Sequence, residues 1–467
     1  MALKPQPSTY RPDTPITDIA NWLADPVNAA DFPKHVLRFR NDRWAETVGL
    51  AQFDDAQWVA HFGAFEPLPD NLPQPLALRY HGHQFRTYNP DIGDGRGFLF
   101  AQMRDGANRL MDLGTKGSGQ TPYSRAGDGR LTLKGAVREI LATEMLEAQG
   151  VHTSKTFSVI ETGESLHRGD EPSPTRSAVM VRLSHGHIRI GSFQRLATLE
   201  QHEHLAELVD YALTNYPGPP PPADAPDRDE PSVRLLHLVV ERLADLAASY
   251  AAAGFVHGVL NTDNMNISGE SFDYGPWRWL PTWDAGFTAA YFDHSGLYSF
   301  GRQPEALHWN CAQLAIALRP LVDAPPLVAA LERFPDLYGA AVQRRFAWRL
   351  GIEGEIDADM VRITEQAMAQ GGMAPEAFFF AARTGTLPED TRFDAVRSAM
   401  SGHARIEDRH DYWSDEAPQS MLIEEVEAIW ERIDRDDDWS ALHRKVAALR
   451  RMGEAHGPAP RPAAQPQ

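Results

Sequence analysis

Apolar residues recur every three or four positions in two long stretches of the chain, residues 131–149 and residues 233–253. The apolar stripe of the first stretch consists of Val137, Ile140, Leu141 and Met145. The stripe of the second consists of Leu235, Leu236, Val239, Val240, Leu243, Leu246, Ala247 and Tyr250. A glycine follows each stretch, at Gly150 and at Gly254. This pattern predicts two amphipathic helices that end at these glycines.

Shorter apolar runs, separated by Gly, Asp and Pro, fill residues 80–113, and residues 97–102 are one example. Residues 177–183 have the same character. Such runs predict strands joined by tight turns. Residues 216–231 contain a run of prolines, which cannot lie inside a helix and therefore predict an exposed loop within a helical region. A sheet-rich half followed by a mainly helical half predicts an α+β fold with two lobes.

Length and charge narrow the possible functions. The chain has 467 residues, enough for two lobes, and its formal net charge of -19 disfavours nucleic acid and anionic membranes as partners. Cys311 is the one cysteine, so the chain can form no intramolecular disulfide and no cysteine-rich zinc site. Residues 1–31 lack the apolar core of a signal peptide, and no apolar run approaches the roughly 20 residues of a membrane helix. We therefore expect a cytoplasmic protein.

A glycine-rich segment and a lysine resemble the phosphate-binding parts of a kinase. Glycines alternate between the predicted strands, at Gly93, Gly95 and Gly97. They would let backbone N–H groups approach a phosphate, or would form a hairpin turn with positive φ. Lys116 follows Gly93 by 23 residues, close to the separation at which protein kinases place the lysine that contacts nucleotide phosphates. Glu139 lies on the first predicted helix, off its stripe, where it could pair with Lys116 or face solvent.

Residues 257–264, directly after the second predicted helix, read His-Gly-Val-Leu-Asn-Thr-Asp-Asn. Kinases place His-Arg-Asp-x-x-x-x-Asn there, with the Asp as base and the Asn as metal ligand. The base position is Val259, so a conventional kinase mechanism fails at its central residue, but Asp263 stands beside Asn264. Asp273, in an Asp-Tyr-Gly sequence that resembles the kinase Asp-Phe-Gly element, follows nine residues later. Asn264 and Asp273 offer oxygen ligands for Mg²⁺, and a turn acid before a glycine is the alternative for Asp273.

Two further groups of residues invite a ligand-binding interpretation. One could clamp phosphate oxygens or form surface ion pairs, and it comprises Arg125, Arg130, Arg182 and Arg189. The other consists of histidine pairs that could chelate a metal: His81 and His83, His185 and His187, and His202 and His204. No fitting third ligand accompanies these pairs, so we interpret them as polar cleft or surface residues.

An ordered series of short motifs spans roughly residues 80–310. The motifs are Gly82-His-Gln-Phe85, Gly93-Asp-Gly-Arg96, Lys116-Gly117, Thr121-Pro-Tyr-Ser-Arg125, Gly127-Asp-Gly-Arg130, Arg138-Glu139, His187-Ile-Arg189, His257-Gly-Val-Leu-Asn-Thr-Asp-Asn-Met265 and Asp273-Tyr-Gly-Pro276. In this order they resemble the selenoprotein O (SelO) family of protein adenylyltransferases. The resemblance implies a bilobal, kinase-like pseudokinase fold that binds ATP inverted, with the α-phosphate facing the acceptor. Ser, Thr or Tyr hydroxyls of target proteins would attack the α-phosphorus and release pyrophosphate.

The resemblance also implies a role for each matching position. The ATP-binding residues would be Gly93, Gly95, Arg96, Lys116, Asp128, Gly129, Arg182, Arg189 and Asp273. Asp263 would accept the proton, and Asn264 and Asp273 would bind Mg²⁺, with Mn²⁺ as an alternative cation. Glu139 would pair with Lys116. The expected partners are ATP and proteins that bear Ser, Thr or Tyr hydroxyls.

The patterns and the resemblance together predict a division of the chain into lobes and extensions. The expected regions are an N-terminal extension packed on the N-lobe (1–60), a kinase-like, sheet-rich N-lobe (61–195), a mainly helical C-lobe (196–400) with its Pro-rich loop (216–231), a C-terminal helical extension (401–457) and a flexible tail (458–467).

The sequence departs from the family pattern in several places. Arg86 stands where a glycine usually follows the first motif, and Leu113-Gly-Thr-Lys replaces an alternating Leu-x-Leu-Lys. The segment before Arg189 reads Ser184-His-Gly-His-Ile. The C-terminal cysteine or selenocysteine of some members has no counterpart, so redox control through that residue is not expected here.

Two other functions fit part of this pattern. A small-molecule phosphotransferase resembling the aminoglycoside kinases is disfavoured, because that group keeps an Asp where Val259 stands. A catalytically inactive ATP-binding scaffold would need no metal ligands. The residues that argue against the scaffold are Lys116, Glu139, Asp263, Asn264 and Asp273.

Overall fold

The computed structural model describes residues 8–169, 171–407 and 409–460. Expectations for residues 1–7 of the N-terminal extension and 461–467 of the tail lie outside the described residues. The strands are β1 (Ala24–Pro26), β2 (Val36–Arg40), β3 (Leu76–Leu78), β4 (Gly82–Gln84), β5 (Thr87–Asn89), β6 (Leu99–Arg104), β7 (Leu110–Lys116), β8 (Leu131–Thr132), β9 (Lys155–Leu166), β10 (Thr175–Ser184), β11 (Phe255–Val256) and β12 (Arg278–Trp279).

The helices alternate with these strands at first and then dominate the chain. They are α1 (Ala20–Leu23), α2 (Asp42–Thr47), α3 (Asp55–Phe62), α4 (Leu133–Ala148), α5 (Ile190–Thr198), α6 (His202–Asn215), α7 (Pro231–Ala253), α8 (Gln303–Leu318), α9 (Ala324–Glu332), α10 (Phe334–Leu350), α11 (Ala358–Gly371), α12 (Pro375–Thr384), α13 (Asp394–Ser401), α14 (Ile423–Asp436) and α15 (Ser440–His456). Short 3₁₀ helices occur at Pro15–Asp18, Thr262–Asn264, Phe300–Arg302, Thr391–Phe393 and Asp411–Ser414.

The N-lobe is built on one antiparallel sheet. In the described residues eight strands form it, in the order β1-β3-β6-β7-β10-β9-β2, with β8 paired to β10. Its outer strands, β1 and β2, come from the segment predicted as an N-terminal extension, so that segment completes the sheet. The central strands β7 and β10 are buried along almost their whole length. Residues carried by these two strands are therefore held rigidly.

The two faces of the sheet have different cores. One face packs on α4 and on the C-lobe helices, through apolar residues such as Leu141 and Leu243. The other face packs on α3, through an aromatic cluster that includes Trp58, Phe62 and Phe157. Both faces therefore bury apolar surface, and this burial is the main stabilising contribution to the N-lobe.

The two helices predicted from apolar periodicity are present. The first begins two residues later than predicted, because Leu131 and Thr132 form β8 and the Thr132 hydroxyl accepts a hydrogen bond from Gly135 N at 3.1 Å, capping α4. The second begins earlier, at Pro231, with Glu230 as its cap. The Pro-rich loop lies between α6 and α7, as expected.

The C-terminal helices α14 and α15 pack against α4 of the N-lobe. Arg450 of α15 binds both carboxylate oxygens of Glu144, at 2.6 and 2.9 Å. Lys134, at the start of α4, lies 2.7 Å from Glu427 Oε2 of α14. α4 is thus held from one side by the sheet and from the other by the C-terminal helices.

The α+β, two-lobed fold predicted from the sequence is confirmed, with a sheet-rich first half and a mainly helical second half. The boundaries between the regions stay predictions. Within the described residues, none of the helices combines the length and the apolar character needed to cross a membrane.

Candidate active site

A buried ion pair joins the N-lobe sheet to α4. Lys116, the last residue of β7, has its Nζ 2.8 Å from Glu139 Oε2 of α4, and both side chains are almost inaccessible to solvent. Burial lowers the pKa of Lys116, while the nearby carboxylates Glu139 and Asp273 act in the opposite direction. A buried ammonium group needs such partners, because an unpaired charge in the interior is costly. The structure therefore brings together the two residues proposed as a pair.

Asp273 connects this pair to the C-lobe. Its Oδ1 lies 3.1 Å from Lys116 Nζ and 3.0 Å from Arg182 Nη2, and its Oδ2 lies 3.7 Å from Arg189 Nη1. Arg182 also lies 2.7 Å from Glu139 Oε1. Burial would raise the pKa of Asp273, but Lys116, Arg182 and Arg189 together lower it well below its ordinary value. Asp273 is therefore an ionised carboxylate that faces three N-lobe cations. We call Lys116, Arg182, Arg189 and Asp273 the inter-lobe cluster.

The backbone around Asp273 is fixed by its neighbours. Asp273 has a left-handed φ of +62°. On one side of it, Phe272 O lies 3.0 Å from His257 Nε2. On the other side, the buried Tyr274 hydroxyl lies 2.5 Å from Thr153 Oγ1. Strained backbone conformations persist only where surrounding contacts hold them, and they are concentrated at functional sites.

The segment that follows β11 carries Asp263 and Asn264 in a short 3₁₀ helix, Thr262–Asn264. Asn264 Nδ2 donates a hydrogen bond to Val259 O at 3.0 Å. Asn310 of α8 donates to Leu260 O at 2.9 Å. These bonds fix the backbone of the segment and the side chain of Asn264.

Asp263 is buried against the first motif of the chain. A Cβ added at Gly82 would lie 3.2 Å from Asp263 Oδ1, so a larger residue there would crowd the carboxylate. Among the described residues, Oδ1 has no hydrogen-bond partner. Burial raises the pKa of Asp263 to about 6, although the positive charge of Arg189 opposes the rise. A carboxylate with this pKa can accept a proton near neutral pH more readily than an ordinary aspartate.

The donor atoms beside Asp263 suit a magnesium ion. Because Asn264 uses its Nδ2 toward Val259, its amide oxygen is the atom that could bind a cation. The carboxylate of Asp273 is a second hard oxygen ligand. In the described part of the chain, no group of three or more His, Cys, Asp or Glu side chains is arranged to hold a metal. Asn264 and Asp273 offer two hard oxygen ligands, so a cation held by them would take its remaining ligands from phosphate oxygens and water.

The glycine-rich loop is packed close to this cluster. Neither Gly93 nor Gly95 is among the glycines with positive φ in the described chain, so the hairpin interpretation was wrong. A Cβ at Gly93 would lie 2.5 Å from the Tyr123 ring, and one at Gly95 would lie 2.9 Å from Tyr123 O. Glycine is thus required by close packing. The charge of Arg96 acts on Asp273 and lowers its pKa.

Asp128 and Gly129 lie in an exposed loop apart from these contacts. Asp128 forms two hydrogen bonds with Arg168, at 2.8 and 3.1 Å. Gly129 has a positive φ of +70° and lies against Gly119, where a Cβ would meet the backbone at 2.2 Å. The role of Asp128 and Gly129 in binding a nucleotide stays a prediction.

The structure divides the predicted arginine group. Arg182 and Arg189 lie in the inter-lobe cluster. Arg130 has its Nε 2.9 Å from Glu164 Oε2, in a separate pair, and Arg125 is exposed. The phosphate-clamp interpretation therefore suits the first two, and the ion-pair interpretation suits Arg130.

Known proteins match this chain over most of its length. The family profile described as protein adenylyltransferase SelO matches residues 9–415. The protein nucleotidyltransferase YdiU of Synechocystis sp. is 41% identical over 473 residues, which cover 94% of this chain and 98% of that protein. YdiU of Synechococcus elongatus is 42% identical, covering 93% of this chain and 94% of that protein.

The chain belongs to the SelO family. The enzyme class predicted from its motifs, a nucleotidyltransferase, is confirmed by this membership. Among solved structures, ROP2 of Toxoplasma gondii, described as a virulence factor with a protein-kinase fold and no enzymatic activity, matches with a TM-score of 0.27 and 11% identity. The match covers 74% of this chain and 88% of ROP2.

The second SelO motif contains Asp94, a residue for which the sequence analysis predicted no role. Asp94 Oδ1 lies 3.1 Å from Arg189 Nη2, and its Oδ2 accepts a hydrogen bond from Leu78 N at 3.0 Å. Burial raises the pKa of Asp94, against the effect of Arg189. The Arg189 guanidinium also lies over the Tyr80 ring, 4.5 Å from its centroid. The position of Asp94 inside a motif indicated that this residue has a role. The motif could not identify its partner, Arg189, which lies 95 residues away.

The first SelO motif positions the segment that carries Asp263. Thr262 Oγ1 accepts a hydrogen bond from His83 N and donates one to Gln194 Oε1, each at 2.7 Å. Gln194 Nε2 lies 2.8 Å from His83 Nδ1. His83 therefore positions Thr262, the residue directly before Asp263. Nothing in the sequence linked it to Thr262.

Three further histidines of the predicted pairs bond to nearby groups. The pairs are His81 Nδ1 with Tyr88 Oη at 2.6 Å, His185 Nδ1 with Leu110 O at 2.8 Å, and His187 Nδ1 with Asp112 Oδ2 at 3.3 Å. Thr115, which stands at the position where the SelO pattern has a leucine before the lysine, fits its buried surroundings. Thr115 Oγ1 accepts a hydrogen bond from Phe98 N at 3.0 Å, so its buried hydroxyl is satisfied.

Proposed function

We propose that this protein transfers AMP from ATP to Ser, Thr or Tyr hydroxyls of target proteins and releases pyrophosphate. One observation carries the proposal: the buried Asp263 carboxylate, whose Oδ1 has no partner among the described residues, stands beside a cluster of cations from the other lobe. Nucleotidyl transfer requires a group that accepts the proton of the attacking hydroxyl and cations that bind and neutralise the phosphates.

The triphosphate would be held by the basic residues of the N-lobe. Lys116, Arg182 and Arg189 already converge on Asp273, at distances of 3.0 to 3.7 Å. Guanidinium groups bind phosphate oxygens in a bidentate manner, and the lysine adds a point charge. Arg96 and the backbone of Gly93 and Gly95 would complete the phosphate site. Asp128 and Gly129 would contact the nucleotide from the exposed loop.

Asp263 would act as the general base. In the reaction, the acceptor hydroxyl oxygen forms a bond to the α-phosphorus, and the bond between that phosphorus and the bridging oxygen of the β-phosphate breaks. The electron pair leaves with pyrophosphate, and the hydroxyl proton passes to Asp263. A pKa of about 6 leaves this carboxylate mostly ionised at neutral pH, so it can accept the proton.

A divalent cation, Mg²⁺ or Mn²⁺, would be held by Asn264 and Asp273, where it would neutralise phosphate charge when ATP is bound. The cations around Asp273 keep the pKa of this carboxyl low, so it stays ionised and able to bind a metal. Glu139 would keep Lys116 directed toward the phosphates.

Two forms of labelled ATP test the proposal. The protein is incubated with Mg²⁺, a protein acceptor such as casein, and ATP labelled at either the α- or the γ-phosphate. We expect label on the acceptor protein from the α position and none from the γ position. Transfer of γ label to protein or to a small molecule would contradict the proposal, and ATP binding without any transfer would point to an inactive scaffold.

A further inference from the structure

The two-residue hairpin turn between β4 and β5 adopts an unusual conformation. β4 and β5 are joined by Phe85 and Arg86, whose φ angles are +49° and +63°. Turns of this kind normally use Asn or Gly, because side chains are strained at positive φ. Arg86 is the residue that replaces the glycine of the SelO pattern. It lies 2.7 Å from Glu305 Oε1 and above the Trp309 ring, and these contacts help hold the turn.

This turn is bonded directly to the segment that carries the proposed base. Phe85 N donates a hydrogen bond to Asn261 Oδ1 at 3.0 Å, and Tyr298 Oη donates to the same oxygen at 2.7 Å. The Phe85 ring packs against Tyr298, with ring centroids 5.0 Å apart. Asn261 is two positions before Asp263. Gly82, at the start of the same hairpin, lies against Asp263, so the Phe85 turn and the base belong to one packed region.

The Phe85 ring contacts Phe292 of an exposed pair of aromatic residues, Tyr291 and Phe292. Phe292 packs edge-on against Phe85, with centroids 5.8 Å apart, and Tyr291 packs against Phe292 at 5.1 Å. Tyr291 is 78% exposed and Phe292 is 43% exposed. We call these three residues, Phe85, Tyr291 and Phe292, the aromatic lip. Adjacent exposed aromatic side chains are unusual on a soluble protein and are typical of binding surfaces.

The loop that carries the lip is held in a defined shape. The buried Asp293 carboxylate accepts hydrogen bonds from Leu297 N at 2.9 Å and from Tyr298 N at 2.8 Å. Tyr291 and Phe292 are therefore presented on a folded turn. A rigid aromatic surface loses little conformational entropy when it binds a partner, so it suits recognition of an extended chain.

We propose that the aromatic lip docks the segment of the target protein that contains the acceptor hydroxyl, and that it takes a large apolar side chain close in sequence to that hydroxyl. This inference rests on the proposed function. The lip continues from Phe85 to the surroundings of Asp263, so a segment lying on it would bring a neighbouring hydroxyl toward the base. Its apolar, outward-facing rings do not suit the triphosphate, which the inter-lobe cluster matches in charge.

Peptide acceptors test the docking surface. Peptides with one central Ser, Thr or Tyr in a background of Ala, Gly and Lys are compared with peptides that carry Leu or Phe at one flanking position. Transfer is measured as kcat/KM from ATP labelled at the α-phosphate. We expect an apolar residue at one or more flanking positions to raise kcat/KM about tenfold, as for a single side chain entering an apolar pocket. We expect Tyr291→Ser combined with Phe292→Ser to remove this preference.

A matched control uses two exposed apolar residues away from the lip. Ile316 on α8 is 62% exposed and Val328 on α9 is 47% exposed, and Ile316→Ser combined with Val328→Ser should keep the preference. If the double lip variant folds poorly, Tyr291→Ser alone should still weaken the preference, because this residue is the more exposed of the two.

Each outcome is distinguishable. Equal kcat/KM for apolar and polar peptides, or a preference that survives the lip substitutions, would overturn the docking inference while leaving the adenylyltransferase proposal intact. A lip variant that changes oligomeric state in size-exclusion chromatography but keeps the peptide preference would assign the surface to a second copy of the chain and would also overturn it. Absence of α label on every peptide and on casein with the unaltered protein would instead contradict the proposed function.

Discussion

The four residues Gly-Asp-Gly-Arg occur twice in the chain, at 93–96 and at 127–130, in very different surroundings. In the first copy the Asp94 side chain is largely buried, bound to Leu78 N and paired with Arg189 of the inter-lobe cluster. In the second copy Asp128 is exposed and paired with Arg168. Asp94 thus lies among the contacts of the inter-lobe cluster, whereas Asp128 lies on the surface. Asp94→Ala should affect folding as well as activity, whereas Asp128→Ala should leave folding nearly unchanged.

The largest effect is expected in the buried region, from Asp263→Asn. Removal of the proposed general base should lower AMP transfer by about 10²- to 10⁴-fold while leaving ATP affinity nearly unchanged, because in the proposed site the N-lobe cations would hold the phosphates. α-Label transfer and calorimetric ATP titration measure the two quantities. Lys116→Ala, as a comparison, should weaken ATP binding as well. Full transfer activity in Asp263→Asn would remove this residue from the mechanism.

The next effect concerns stability. Asp94→Ala leaves Arg189 without one of its buried partners and should cost about 3 kcal/mol, whereas Asp128→Ala, which breaks an exposed pair, should cost less than about 1 kcal/mol. Apparent melting temperatures of the two variants, measured side by side, compare them. Equal decreases in melting temperature would show that the different burial of Asp94 and Asp128 does not affect stability.

The pH dependence of transfer isolates the raised pKa of Asp263. Because burial raises this pKa to about 6, the base is ionised above that pH and becomes protonated below it. We expect the rate to fall about tenfold per pH unit below pH 6 and to level off above it. A peptide with a single acceptor Thr, which does not titrate in this range, supplies the hydroxyl. A rate that stays constant down to pH 4.5 would show that the base has an ordinary pKa or is another group.

The smallest effect is expected at the exposed copy. Asp128→Ala should raise the KM for ATP about fivefold with little change in melting temperature, since loss of one hydrogen-bonded contact to a ligand costs about 1 kcal/mol. Asp229→Ala, in the Pro-rich loop, is the matched control, because its side chain is 97% exposed. An unchanged KM in Asp128→Ala would exclude this residue from the nucleotide site.

Apolar periodicity predicted the helices α4 and α7, and motif spacing together with the family resemblance pointed to the residues of the inter-lobe cluster, because both depend on nearby positions. They could not predict which distant segments meet. β1 and β2 come from the first 40 residues yet form the outer strands of the N-lobe sheet. Asp94 finds its partner 95 residues away, and the Phe85 turn finds Asn261 after 176 residues. Such contacts arise from the packing of whole lobes.

The glycine-rich segment shows a second limit of sequence reasoning. Alternating glycines predicted either phosphate contact or a positive-φ turn, but Gly93 and Gly95 are required by the ring and backbone of Tyr123. Tyr123 belongs to a different motif, and nothing in the spacing linked the two. A glycine signals that something comes close, without saying whether that is a ligand or another part of the chain.

The link between α15 and α4 has a consequence for the order of events during synthesis. Glu144 and Arg450 are 306 positions apart, so α4 leaves the ribosome long before the helix that holds it. At the usual rates of translation, about 5–20 residues per second, this interval lasts on the order of 15 to 60 seconds. During that time the helix carrying Glu139 lacks one of its two supports. A nascent chain should therefore acquire its ability to modify other proteins only after α15 has been synthesised.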